Sequence, residues 1–234
     1  MCGRFTHRLT WVQLRGLYHL TDPRHPELDL KPRYNVAPTD VMAVCRPNRS
    51  GQREIAMLRW GLIPFWANDP KVGFKSINAR AETVATAPAF RDAFKRQRCL
   101  VPASGFYEWK KLEGGGKQPY LIQMRDGAPF SFAGLWDRWS KGEAPIETFA
   151  IITGEPNSLV ADIHDRMPVI LDPADYDAWL TGGEPGALQK MLQPFPAQLM
   201  SAFPVSTKVN SVKNDTPDII EPLSSGAQSS AGLF

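Results

Sequence analysis

The sequence predicts a single α+β domain, strand-rich, with a few peripheral helices. Three observations predict it. The chain has 234 residues and is 43% hydrophobic, with 12 Phe, 7 Trp and 5 Tyr, enough for one real core. Its 21 Pro and 18 Gly cut it into short segments. Many of those segments alternate apolar and polar residues with the two-residue period of a strand.

Taken in order, Thr10 reads as an N-cap for a helix over residues 11–20. A strand follows at 53–60, and Thr86 is placed to cap a helix over 88–98. Strand patterns recur at 99–101, 105–109, 119–125, 129–135, 147–153 and 167–171, and Glu-Gly-Gly-Gly at 113–116 reads as a hairpin tip. Asp172-Pro173 is a cap and first turn for a helix over 174–180, and a further helix is expected over 185–192. The domain is expected to span residues 2–223. The Ser/Gly/Ala-rich stretch 224–234 is expected to be a disordered tail. No internal repeat is visible.

No apolar run approaches the roughly 18–20 residues of a membrane span. Residues 10–20 carry Gln13, Arg15 and His19, which rules out a signal-peptide core there. Three cysteines, Cys2, Cys45 and Cys99, form no even-numbered disulfide framework. A cytoplasmic setting is expected, with Cys45 and Cys99 as buried, inert thiols. The net charge of +3 is uneven: residues 1–110 hold 18 Lys/Arg against 9 Asp/Glu, and the remainder holds 9 against 15. A basic N-terminal half suggests a polyanionic substrate.

The chain opens Met1-Cys2-Gly3-Arg4. A small residue in second position permits removal of Met1. Cys2 would then carry an α-amine with a pKa of about 7.7–8.0 beside a thiol near 8.5. Such an aminothiol can act as an N-terminal nucleophile on a carbonyl. It can also capture an aldehyde, first as a Schiff base and then as a five-membered thiazolidine.

Other clusters place reactive groups in apolar text. Arg33-Tyr34-Asn35-Val36-Ala37-Pro38 ends in a proline that cannot continue a sheet ladder. Trp60-Gly61-Leu62-Ile63-Pro64-Phe65-Trp66 holds aromatics on a Gly/Pro-shaped loop, which serves either as core filler or as a stacking surface for nucleobases. Asn78, Arg80 and Glu82 share one face if their segment is extended. Glu108 stands among Phe106, Tyr107 and Trp109, where burial would raise its pKa. His164 is flanked by Asp165 and Arg166, while His7, His19 and His25 read as surface residues. No metal-ligand spacing and no phosphate-binding glycine loop is present, so neither a metal nor another cofactor is implied.

Together these clusters resemble the SOS response-associated peptidase (SRAP) family. The matching text is Met1-Cys-Gly-Arg-Phe5, residues 33–38, residues 60–64 with Trp66, residues 77–82, residues 105–109, residues 163–168 and residues 209–214. The resemblance implies a single α+β domain built on a β-barrel-like pair of antiparallel sheets. It implies that Cys2, freed of Met1, crosslinks to the ring-opened aldehyde of an abasic site in single-stranded DNA as a stable thiazolidine. Glu108 would assist proton transfer, His164 would act in ring opening and release, and Asn78 would orient Cys2 and the opened sugar. Arg4, Arg80 and Arg166 would hold phosphates, and Trp60 or Trp66, with Pro38, would support a kinked strand. A monomer, no membrane partner and, in a bacterium, association with the nucleoid are expected. Two other readings stay open: a thiol peptidase or amidohydrolase that uses Cys2 as its nucleophile, and a non-catalytic reader of modified DNA bases. Class II glutamine amidotransferases also begin Met-Cys-Gly, yet they fit the remaining motifs poorly.

Overall fold

The structure, a computed structural model, describes residues 2–21 and 30–223. The expected tail at 224–234 and His25 lie outside these residues. Thirteen strands dominate. They are β1 (Phe5–His7), β2 (Arg33–Val36), β3 (Val41–Pro47), β4 (Arg53–Trp60), β5 (Asn78–Arg80), β6 (Arg98–Ala103), β7 (Gly105–Lys111), β8 (Lys117–Met124), β9 (Phe130–Trp139), β10 (Ile146–Gly154), β11 (Met167–Pro168), β12 (Ile170–Leu171) and β13 (Met200–Pro204). The helices are short: α1 (Trp11–Tyr18), α2 (Arg91–Arg96), α3 (Ser158–Ala161), α4 (Tyr176–Thr181) and α5 (Pro185–Lys190).

The smaller sheet runs β13-β8-β7-β1-β2. The larger runs β11-β10-β4-β3-β6-β9-β12, with β5 on the edge of β10. An added β9–β10 pairing joins β10, β4, β3, β6 and β9 into a ring of five strands. Two pairings in this sheet are parallel, β4 with β10 and β5 with β10. Side-chain alternation divides the larger sheet between two cores. Val44, Cys99, Val101, Phe149 and Ile151 join Phe5, Phe106 and Ile122 of the smaller sheet in one core. Cys45, Leu100, Ala150 and Ile152 join Leu14, Tyr18 and Trp179 of α1 and α4 in the other. Both inner cysteines are fully buried free thiols.

Local signals account for most boundaries. Thr10 caps α1 in a full capping box: its side chain accepts from the Gln13 N–H, and the Gln13 side chain accepts from the Thr10 N–H at 2.9 Å. Asp172 accepts from the Ala174 N–H and starts a 3-10 turn over Pro173–Asp175 that leads into α4. The helix expected over 88–98 is shorter. Thr86 does not cap it, because its hydroxyl donates to Thr83 O at 3.2 Å within the preceding turn. The strand expected at 167–171 is two strands, β11 on β10 and β12 on β9, with Val169 bonded to Ile152 on one side and Ala133 on the other.

Candidate active site

β1 pairs with β7, Phe5 opposite Phe106, and the Tyr107 N–H donates to Arg4 O at 3.0 Å. That pairing carries the chain back to Cys2 alongside Glu108. Cys2 is fully buried in the core shared by the two sheets. Asn78, at the start of β5, donates its Nδ2 to Cys2 O at 2.8 Å. The Asn78 Oδ1 is buried with no partner among the described residues, which leaves an acceptor for a ligand donor.

Glu108 is 1% exposed, and His164 faces it with Nε2 3.7 Å from Glu108 Oε2. Burial in the aromatic strand pushes the Glu108 pKa up to about 7. A carboxyl in that range can both give and take a proton near neutrality. His164 is held by its own N–H bond to Val160 O, 2.8 Å, at the end of α3. The Arg166 N–H donates to His164 Nδ1 at 3.0 Å, which places the proton of the neutral ring on Nε2, facing Glu108. Asp165 Oδ1 also lies 2.9 Å from Nδ1 and becomes its acceptor when the ring is protonated. Partial burial lowers the His164 pKa, so the neutral ring is the resting form near neutrality. The Cys2 thiol is raised far above its usual range, first by burial and then by the Glu108 charge. The four residues expected to carry chemistry are thus brought to one place from four separate stretches of the chain, two of them the strands β5 and β7.

The residues expected to touch DNA divide differently. Arg80 is exposed on β5, and its guanidinium makes no hydrogen bond or ion pair among the described residues. Arg166 is paired with both oxygens of Glu82 and donates to Thr153 O. Arg4 donates to Asn35 Oδ1 and Val209 O, both at 2.8 Å, and to Asn210 O at 3.2 Å. Trp60 is corrected outright as a stacking surface. It is fully buried, stacks on Phe149, and donates its Nε1 to Ile77 O at 2.9 Å. Trp66 is 46% exposed and Phe65 beside it 51%. Their loop closes over residues 70–75 through a backbone contact of Gly61 with Gly73, where a Cβ on Gly61 would lie 2.7 Å from Gly73 O. Pro38 is half-buried next to Thr39, whose N–H donates to Trp60 O.

His7 is a second correction. It is 1% exposed on β1, and burial lowers its pKa to about 4, so it is a neutral core residue. Sequence reasoning also gave no role to Asp215. Its carboxylate accepts from Arg33 and from the Tyr34 and Asn35 N–H groups, while Asn35 Nδ2 donates to Ser211 O and Asn214 O. The polar Arg33-Tyr34-Asn35 run inside strand text was the available signal. Among the described residues no cluster of three or more His, Cys, Asp or Glu is placed to hold a metal ion, and no helix is long and apolar enough to cross a membrane.

The chain is 44% identical over 224 residues to abasic site processing protein YoqW of Bacillus subtilis, covering 94% of this chain and 99% of that protein. It is 33% identical to abasic site processing protein YedK of Escherichia coli, covering 95% and 100%. It is 34% identical to abasic site processing protein HMCES of Gallus gallus, covering 97% and 79%. A crystal structure of a Bacteroides thetaiotaomicron protein superposes with a TM-score of 0.85 at 29% identity, covering 95% of this chain and all of that one. The profile of the SOS response associated peptidase (SRAP) family matches residues 1–212. The chain belongs to the SRAP family.

Proposed function

We propose that this protein processes abasic sites in DNA by a covalent thiazolidine link through Cys2, after loss of Met1. The carrying observation is the convergence of Cys2, Asn78, Glu108 and His164 at a site where the carboxyl pKa is about 7. In solution an abasic deoxyribose equilibrates with its open aldehyde. The Cys2 amine adds to the aldehyde carbon, and the resulting hydroxyl leaves as water when Glu108 supplies a proton. The thiol then adds to the imine carbon, its proton passing to the nitrogen. One C–N and one C–S bond form, and one water is lost. His164, with its ring proton toward Glu108, is placed to assist ring opening and release. Asn78 fixes the Cys2 carbonyl and so orients amine and thiol together.

A thiol hydrolase would need a depressed thiol pKa, set by a cation or a base that takes the thiol proton. Burial and the Glu108 charge raise the Cys2 thiol instead, and no side-chain cation or base among the described residues is seen to lower it. Arg80 is the proposed phosphate contact, and Trp66 with Pro38 the proposed support for a bent single strand. Arg4 and Arg166 hold the frame around them. The test is incubation of the purified protein with a single-stranded oligonucleotide carrying one abasic site, followed by a denaturing gel. A heat-resistant shift that needs Cys2 is expected. Turnover of peptide or glutamine with no shift would overturn the reading.

A further inference from the structure

The strand ring has an end where β3 and β9 finish and where β4, β6 and β10 begin. Two adjoining clefts lie there, of about 480 and 600 Å³, and share Gln97 and Arg138 in their walls. Phe65 and Arg96 line the first, Arg46 and Arg49 the second. The acids nearby are already engaged. Glu54 and Glu147 both pair with Arg46, whose guanidinium also lies 4.1 Å over the Trp136 ring. Asp137 is buried and accepts from the N–H groups of Phe65 and Arg138, and Asp92 lies 3.9 Å from Arg91. Arg49, Arg96 and Arg138 are exposed, and among the described residues their guanidinium groups make no hydrogen bond or ion pair. Three guanidinium groups without a paired carboxylate among the described residues therefore run from the Phe65–Trp66 loop to the turn after β3.

This end is joined to the active site through β10. Thr148 pairs with Asp137 and accepts from the Ile63 N–H, and Ile151 pairs with Asn78. Three strand residues separate those points, about 10 Å.

We propose that Arg49, Arg96 and Arg138 form a second phosphate-binding track, which holds the DNA backbone running away from the lesion past the Phe65–Trp66 loop. The exposed rings of Phe65 and Trp66 mark the passage from the reaction site to the track by stacking bases in any sequence. The track rests on the proposed function for the identity of its ligand, and it carries affinity without touching the reacting atoms. Its signature is a dependence on DNA length and on salt.

The experiment compares wild type with the Arg49→Ala/Arg96→Ala/Arg138→Ala variant on undamaged 30-nucleotide and 7-nucleotide single strands across a salt series. In the variant, the salt slope on the 30-mer is expected to fall by about 0.7 for each lost contact, and affinity for it to fall while the 7-mer is little affected. Crosslinking of a 7-mer with a central abasic site should keep its wild-type rate, which also shows that the variant is folded. Wild-type affinity and slope on the 30-mer would overturn the track. Absence of any crosslink by wild type, with the length and salt effects intact, would overturn the thiazolidine reading and leave the track standing.

Discussion

Cys2 and Arg4 stand two residues apart, and the polar groups gathered round them do opposite things. Around Arg4 the donors and acceptors are matched. Arg4 and Asn35 bond to the carbonyls of residues 209–214, and Asp215 takes three donors from residues 33–35. This clasp ties the C-terminal segment across β1 and β2. Around Cys2, Asn78 Oδ1 is an acceptor without a donor among the described residues, and Glu108 is a buried carboxyl with a pKa near 7. The first arrangement gives rigidity, because buried polar groups with full partners resist rearrangement. In the proposed function the second serves reactivity at a cost in stability, and the clasp next to it holds the strand that leads to Cys2.

The comparison breaks most directly at Cys2. Cys2→Ala keeps the amine and should still form a borohydride-trappable imine, but the stable adduct should vanish from a denaturing gel. A stable adduct from this variant without borohydride would show that another nucleophile acts. Next come Glu108→Gln and His164→Ala. Each should slow single-turnover crosslinking or release roughly 10²–10⁴-fold, with DNA affinity close to wild type. If affinity falls as steeply as rate, the two residues serve binding instead.

Glu108 also makes a stability prediction of definite sign. Its folded pKa, about 7, lies above the model-peptide value of 4.5, so the folded state holds the proton longer than the unfolded one. Its contribution therefore falls as pH rises from 4.5 to 7, by up to about 3 kcal/mol, and stays low above 7. Glu108→Gln should flatten that part of the stability-against-pH curve, as read by urea unfolding. An unchanged curve would mean that Glu108 is not the buried acid described.

In the clasp the order of effects reverses. Asp215→Ala leaves the Tyr34 and Asn35 N–H groups without their acceptor and should destabilise by about 2–4 kcal/mol. For a chain of this size that lowers Tm by about 4–16 °C. Below the transition, crosslinking should stay within a few-fold of wild type. Loss of rate without loss of Tm would move Asp215 into the reacting site. The smallest effect belongs to Arg80. Arg80→Ala should reduce the salt slope of single-strand binding by about 0.7 and leave Tm unchanged. Arg4→Ala should do the reverse, lowering Tm first.

The sequence carried the strand-rich α+β class well, because alternation and the Pro/Gly spacing are local signals. β4 was read to the residue. What it could not carry was anything set by partners far away. Trp60 and Trp66 stand in the same loop text, yet one is packed on Phe149 and the other faces solvent. His7 looked like a surface residue between Thr6 and Arg8, until β1 was placed between β2 and β7. Arg4, Arg80 and Arg166 are the same residue type in similar settings, and only the fold reveals which guanidinium is already engaged. The gathering of Cys2, Asn78, Glu108 and His164 was expected through the family resemblance; no spacing in the chain encodes it, since the four lie far apart in sequence.

The central claim is that both nucleophiles of Cys2 react with one aldehyde carbon. Intact-mass measurement of the adduct with a single-stranded abasic oligonucleotide tests it most directly. The account predicts the mass of the protein without Met1 plus that of the oligonucleotide, less one water, stable without borohydride and absent from Cys2→Ala. An adduct that retains Met1, or a Cys2→Ala adduct that survives denaturation without borohydride, would contradict it.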